Sequence, residues 1–335
     1  MKALVLESVG NLIYKDVPTP VPQNGEVLLK VKACGICSSD FDRCLKTGTY
    51  HFPTIPGHEF AGEIAAVGSG VDASYIGKRA VVFPLLPCRS CDQCRIEAYA
   101  RCRHYSYFGS RCDGAFAEYI AVPLWNIQVF DKALDYSVAA LCEPAAVAYH
   151  GVAVSALHKG DRVCIVGTGT IGILVGFWAR EAGADVTFVS RNESKTTFLK
   201  SLGFYAMDDQ SAFTDGGFNC AFECVGTDTS LAIALGCVCA SGQVILLGNP
   251  DGDKSIPRNV FWKILRNELT VKGVWNSNYS EGNNDWQKVL DALLAHQVSF
   301  SRLITSVFPL SAGLAAFDAL RNSGKLELKG TFINE

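Results

Sequence analysis

The sequence predicts an α/β protein of two domains: an irregular, mostly antiparallel β-barrel and a doubly wound parallel sheet. Three observations carry this. The chain has 335 residues, more than one hydrophobic core usually organises. Its first part reads as short apolar strands cut by glycine. Its second part alternates Val-, Ile- and Phe-rich runs with helical runs of ten or more residues, the pattern of a parallel sheet with right-handed crossovers.

The expected barrel domain takes residues 1–146 and 283–335, and the sheet domain residues 147–282. In the barrel, GEVLLKVKACGIC (25–37), FAGEIAAVGSG (60–70), KRAVVFP and FAEYIAVP read as strands. A cysteine-rich loop over about 86–104 interrupts them. Beyond 147, DRVCIVGTGTIGILVGFWAREAG reads as strand, glycine turn and helix. ADVTFVSR (184–191) is the next strand, and ESKTTFLKSLG a helix with Glu193 in its first turn. FNCAFECVG (218–226), TDTSLAIALGCVCA and GQVILLG (242–248) repeat strand, helix, strand, and ELTVKGVW (268–275) is a last strand. DWQKVLDALLAHQ (285–297) has helical apolar spacing at Val289, Leu290, Leu293 and Leu294. The tail, ending in GKLELKGTFIN, adds a helix and a strand that return to the first domain.

A net charge of −3 gives no reason to expect nucleic acid. There is no run of about 18 apolar residues to span a membrane and no N-terminal apolar stretch of a secretion signal. Ten of the 14 cysteines are scattered singly, the usage of a reducing compartment, so the expectation is a cytoplasmic enzyme. The other four, Cys88, Cys91, Cys94 and Cys102, read C-x₂-C-x₂-C-x₇-C. Four thiolates at that spacing close a tetrahedral zinc site with no open position. In small peptides such zinc supplies on the order of 10 kcal/mol of folding free energy.

Gly167, Thr168, Gly169, Thr170, Ile171 and Gly172 form G-x-G-x-x-G directly after the strand RVCIV and at the start of a helix. In that context the first glycine allows the tight turn, the second admits a pyrophosphate, and the third lets helix and strand pack closely. The helix N-terminus offers free N–H groups to the phosphates. At the end of the next strand a carboxylate normally holds the ribose of NAD(H). Here stand Ser190 and Arg191, with Lys195 nearby. Arg grips a 2′-phosphate that a carboxylate would repel, so NADP(H) is expected over NAD(H). Val225, Gly226, Leu247, Gly248 and Asn249 follow later strands and are expected at the cofactor, with Trp275 and Asn276 lining a pocket.

A second metal constellation is Cys37 in GICSSD, His58 and Glu59 in GHE, and Glu143 in CEPAA. Three ligands of these types leave one position for water or substrate. GHEFAGEIAAVGSGV (57–71), with Gly57, His58, Glu59, Gly62 and Gly70, resembles the zinc signature of the medium-chain alcohol and polyol dehydrogenases. The order GIC, GHE, four cysteines, GTGTIG follows that family along essentially the whole chain. PLLPC, YFGSRCDGAFAEYI and KILRNELTVKGVW resemble its branch of galactitol-1-phosphate 5-dehydrogenases, sorbitol dehydrogenases and neighbouring sugar-alcohol enzymes.

The resemblance implies a GroES-like catalytic domain, a Rossmann domain and a cleft between them. It carries over Cys37, His58 and Glu143 as ligands of a catalytic zinc, with Cys142 as the fallback for Glu143 and Glu59 as a close outer or alternating ligand. With the four-cysteine site this makes two Zn²⁺ per chain. It implies reversible oxidation of a secondary alcohol, the metal acidifying the hydroxyl and hydride passing to C4 of the nicotinamide. Ser39 stands where the family places the hydroxyl that takes the proton. The next relay position, a histidine in many members, is Asp42 here. A polyol needs several hydrogen bonds, for which Tyr50, Ser110, Glu143 and Asn276 are candidates; a polyol phosphate also needs positive charge, from Arg43, Lys46 or Arg111. Arg111 alternatively pairs with Asp113 or Glu118. An apolar pocket of Trp275, Phe108 and Phe52 would instead suit simple secondary alcohols. A non-catalytic NADPH-binding redox sensor is the third reading. Family members are dimers or tetramers, commonly through the sheet edge that ELTVKGVW would form here.

Overall fold

The computed structural model describes residues 1–250, 252–322 and 326–334. The chain forms two compact units, Met1–Glu143 with Asn278–Glu335, and Pro144–Ser277. The first opens with an antiparallel hairpin, β1 (Lys2–Ser8) and β2 (Asn11–Asp16). Strand β3 (Glu26–Ile36) then alternates buried and part-exposed residues, the period of a strand covered mainly on one face. After the short helix α1 (Ser38–Asp42) come β4 (Glu59–Val67) and β5 (Arg79–Val82); β4 pairs antiparallel with both β3 and β5. The cysteine loop carries β6 (Leu85–Leu86), α2 (Asp92–Arg95) and β7 (Ser106–Tyr107). Strand β8 (Tyr119–Pro123) returns to β3, and β9 (Ile127–Val129) to β5. Helices α3 (Tyr136–Ala139) and α4 (Cys142–Ala153) follow, and the division between units falls in the first turn of α4.

The second unit runs β10 (Arg162–Val166), α5 (Thr170–Glu181), β11 (Asp185–Val189), α6 (Glu193–Ser201), β12 (Tyr205–Met207) and α7 (Asp209–Asp215). It continues with β13 (Phe218–Glu223), α8 (Asp228–Cys237), β14 (Val238–Leu246), α9 (Arg258–Arg266) and β15 (Thr270–Gly273). All neighbours are parallel, in the order β12-β11-β10-β13-β14-β15. This is the doubly wound order, with the reversal between β10 and β13, where such sheets bind ligands. The covered strands β10 and β11 are buried at every position after the first, as a sheet with helices on both faces requires. Helix α8 stops at Cys237, short of the expected CVCA end. β-branched Val238 pairs with Phe218 instead, and the strand bulges past Ser241, whose φ is 60°.

The chain then returns to the first unit through α10 (Asp285–Ala295), α11 (Gln297–Ser301), β16 (Ile304–Pro309), α12 (Leu314–Asn322) and β17 (Lys329–Ile333). Gly324 and Lys325, at the start of GKLELKGTFIN, lie outside the described residues. Strand β17 inserts between β16, parallel, and β3, antiparallel, giving the order β16-β17-β3-β4-β5-β9. The core beneath this sheet is aromatic. Phe116 meets the Phe332 ring edge-on at 4.9 Å and the Phe317 ring at 6.4 Å. Each such pair adds about 0.5–1.5 kcal/mol beyond its buried area. Tyr279 stacks on Phe83 at 4.6 Å with Trp286 edge-on at 5.7 Å, which ties residues from 278 onward to the first unit. Among the described residues no helix is long and apolar enough to cross a membrane.

Candidate metal centre and cofactor cradle

The four sulfurs of Cys88, Cys91, Cys94 and Cys102 lie within 4.8 Å of one another. Cys91 caps helix α2, which turns Cys94 back, so that Cys88 and Cys94 are 3.9 Å apart and Cys91 and Cys102 4.0 Å. A tetrahedron with Zn–S bonds of about 2.3 Å has edges of roughly 3.8 Å, so the group matches a zinc site in both chemistry and size. A hydrogen bond from Ser90 draws the Cys88 thiol down to about 5, while burial pushes Cys94 up to about 12. A bidentate pair of Arg103 with Asp92, at 2.7 and 2.8 Å, braces the loop from outside.

A second group comprises Cys37, His58 and Glu59, also within 4.8 Å. Cys37 directly follows β3 and caps α1; His58 directly precedes β4, which Glu59 begins, so the pairing of β3 with β4 brings them together. Asp40, fully buried, supports both ends. Its Oδ2 accepts the Cys37 N–H at 2.9 Å and its Oδ1 lies 3.4 Å from His58 Nδ1. Burial works to lower the proton affinity of His58, but the Asp40 carboxylate outweighs it and holds the imidazole well above its ordinary value. With Nδ1 turned to Asp40, Nε2 is the nitrogen left for a metal. Arg43 reaches both Asp40 and His58 at 3.5 Å.

The two glutamates are held differently. Glu59 is gripped by buried Lys329, whereas Glu143 accepts from the Tyr107 hydroxyl at 3.1 Å and lies outside the three-residue group. Burial pushes the Glu143 carboxyl up to about 7, and the Glu59 charge adds to this. Its hydrogen-bond partner is a phenol and not a cation, and a divalent ion would supply that missing charge. Cys142 is turned away, its sulfur directed to the Trp286 carbonyl at 3.9 Å. Ser39 is half-buried on α1. Asp42 pairs at the surface with Lys46 at 2.8 Å, on the side of α1 opposite buried Asp40.

In the second unit the three motif glycines each meet a separate requirement. Gly167 has φ 121°, and a Cβ on Gly172 would lie 2.1 Å from the Gly167 carbonyl. A Cβ on Gly169, the residue capping α5, would meet nothing within 4 Å, the open approach that a phosphate needs. Glu223, at the end of β13, accepts from the N–H groups of Val225 and Gly226 at 2.8 Å each, and its carbonyl accepts from Leu247 and Gly248. The turns after β13 and β14 therefore pack backbone to backbone: a Cβ on Gly226 would strike the Asn249 carbonyl at 1.8 Å. Ser190 donates to the Asn192 carbonyl, and Asn192 caps α6 through the Lys195 N–H. Arg191 pairs with Asp209, the first residue of α7. Trp275 is exposed, and Asn276, with φ 58°, accepts from the Ser277 N–H.

Tyr50 and Ser110 meet through a backbone bond at 3.2 Å, and Arg111 donates to the Tyr50 hydroxyl at 3.0 Å. Arg111 bonds neither Asp113, which holds the Ile55 N–H, nor Glu118, which holds that of Lys2. Sequence reasoning missed Asp40, Tyr107, Asp209, Glu223 and Lys329. Only Asp40 left a trace, as a carboxylate three residues after Cys37 in the place of a capping box.

Two family models match the chain, the alcohol dehydrogenase GroES-like domain over residues 23–131 and the zinc-binding dehydrogenase over 170–295. Galactitol 1-phosphate 5-dehydrogenase of Escherichia coli (strain K12) is 33% identical over 331 residues, covering 92% of this chain and 95% of the relative. The crystal structure of galactitol-1-phosphate dehydrogenase from Escherichia coli superposes with a TM-score of 0.93 at 29% identity, over 100% of both chains. A zinc-binding dehydrogenase of Sinorhizobium meliloti 1021, solved bound to NADP, gives 0.89 at 31% identity over 99% of each. The chain belongs to the zinc-dependent medium-chain alcohol and polyol dehydrogenases, oxidoreductases built from a GroES-like and a Rossmann domain.

Proposed function

We propose that this chain moves hydride between NADP(H), in preference to NAD(H), and the secondary alcohol or ketone of a polyol or polyol phosphate. The observation that carries the reading is the Cys37–His58–Glu59 group beside buried Glu143, in a chain that also carries the glycine cradle. Cys37, His58 and Glu143 would hold a catalytic zinc, with Glu59 as the nearby alternative, and the four cysteines a second, closed zinc site. When bound, zinc supplies the Lewis acidity that eases loss of the alcohol proton, and the nicotinamide accepts the hydride. Asp40 orients His58 and fixes the Cys37 backbone. The Ser39 hydroxyl takes the proton, and Tyr107 holds the Glu143 carboxyl in place. The cofactor preference is supported by Ser190 and Arg191 where NAD(H) would want a carboxylate, and by the NADP-bound relative. Arg191 would exchange Asp209 for the 2′-phosphate. A cytoplasmic homodimer or homotetramer fits this reading, the exposed strand β15 offering an edge.

The test is zinc stoichiometry together with turnover of polyols, polyol phosphates and 2-alkanols under NADP⁺ and NAD⁺. Two zinc ions per chain and NADP⁺-dependent polyol oxidation are expected. Arg191→Asp should move the preference toward NAD⁺, and Ser39→Ala should lose turnover with zinc retained. A wild-type preference for NAD⁺ would end the cofactor assignment.

A further inference from the structure

One carbonyl closes the turn Tyr107–Cys112. Tyr107 O accepts from the N–H groups of Ser110, Arg111 and Cys112 at 3.3, 2.9 and 3.3 Å. Gly109 and Gly114 let this segment lie against Gly57, the residue before His58. A Cβ at Gly109 would come 2.7 Å from the Gly57 nitrogen, and one at Gly114 2.1 Å from its oxygen. The same turn thus carries two side chains with different surroundings. The Tyr107 ring lies 5.6 Å from that of His58, with its hydroxyl on Glu143. Arg111 packs on two other tyrosines, its guanidinium carbon 4.1 Å from the Tyr50 ring and 4.5 Å from the Tyr105 ring. Tyr105 in turn meets Tyr107 at 6.3 Å, so an unbroken run of ring contacts joins Arg111 to the metal group.

The three loop cations expected from the sequence now separate. Arg43 faces buried Asp40 at 3.5 Å, and Lys46 holds Asp42 at 2.8 Å. Among the described residues Arg111 pairs with no carboxylate, and of its five N–H donors one is used, on the Tyr50 hydroxyl. Contact with two aromatic rings restricts the guanidinium before any ligand arrives, which lowers the ordering cost of a bidentate grip. A guanidinium so held, with donors still free, is the group that recognises a phosphate monoester.

We propose that Arg111, held by Tyr50 and Tyr105, is a phosphate subsite, so that the substrate is a polyol monophosphate and not a free polyol. This rests on the reading that the alcohol carbon is held at the Cys37–His58 group. The probes are a hexitol 1-phosphate, the matching free hexitol and orthophosphate, used on the zinc-loaded full chain. Arg111→Met should raise KM for the hexitol phosphate on the order of 100-fold, from loss of charge-assisted bonds, with kcat nearly unchanged. Its kcat/KM on the free hexitol should move less than about twofold, because that substrate never engages the guanidinium. Arg111→Lys should recover part of the loss, and Tyr50→Phe, which keeps the ring, should cost only a few-fold. Orthophosphate should compete with the hexitol phosphate in wild type and cease to do so in Arg111→Met. Equal loss on both substrates, or an unchanged KM for the phosphate, overturns the subsite. If wild type oxidises no alcohol, the dehydrogenase reading fails separately. Calorimetric binding of the hexitol phosphate then decides the subsite: loss in Arg111→Met upholds it, and equal or absent binding in both proteins overturns it.

Discussion

Lys329 holds both carboxylate oxygens of Glu59, at 2.8 and 2.6 Å, across an intervening strand. Lys329 begins β17, Glu59 begins β4, and β3 runs between them. The carboxylate crosses over Gly35, its partner in register, where a Cβ would lie 2.3 Å from Glu59 Oε2. Lys329 also donates to the Ile36 carbonyl at 3.2 Å. Both side chains are almost wholly buried, so the pair is defined by what its breakage costs.

Lys329→Met leaves a buried carboxylate without its cation and should destabilise the chain by about 3–5 kcal/mol. Adding Glu59→Gln should restore much of that, since the uncompensated charge goes with it. Urea unfolding of the three proteins measures both effects.

Asp40→Asn should weaken zinc at the Cys37–His58 group by about 10–100-fold, the usual cost of losing the partner of a ligating histidine. The four-cysteine site should keep its zinc. Competition with a graded chelator, read as two separate release steps, resolves the two sites.

Cys94→Ser should remove one zinc per chain and expose residues 88–102 to proteolysis, because one turn of α-helix (Asp92–Arg95) and one 3₁₀ turn (Tyr99–Arg101) are all the regular structure there. Acid should act similarly in wild type, since thiols must lose protons to bind the metal. Limited proteolysis with and without chelator reports the change.

In zinc-stripped protein, Glu143 titrates near 7 rather than its ordinary 4.5, chiefly because it is buried. Between those values the folded chain binds more protons than the unfolded one, so stability falls as pH rises. The whole effect is on the order of 3 kcal/mol. Glu143→Gln should flatten that slope, and denaturant melts at pH 4.5, 6 and 7.5 test it. A slope unchanged by the substitution would assign it to other groups.

Much of the doubly wound unit was legible in the sequence because its longer strands and most of its helices are local signals, from the Val- and Ile-rich run at 162–166 to the glycines that follow, whereas β12, α7 and α9 were not read. The four-cysteine group was equally plain, its ligands being close in sequence. The surroundings of the second metal group were not. Lys329 reaches Glu59 only through the pairing of β17 with β3, and no spacing in the chain announces that contact. Asp42 and Asp40 are two residues apart and both acidic. Only the turn of α1 decides that Asp40 goes inward to His58 while Asp42 meets Lys46. Arg191 read as a free cation because Asp209 lies beyond a further helix and strand.

The insertion of β17 between β16 and β3 also sets an order of events during synthesis. The second unit is contiguous and emerges from the ribosome with all of its strands, while the first still awaits two. A nascent chain can therefore load its cysteine loop with zinc early, whereas Glu59 stays without its lysine until β17 has been made.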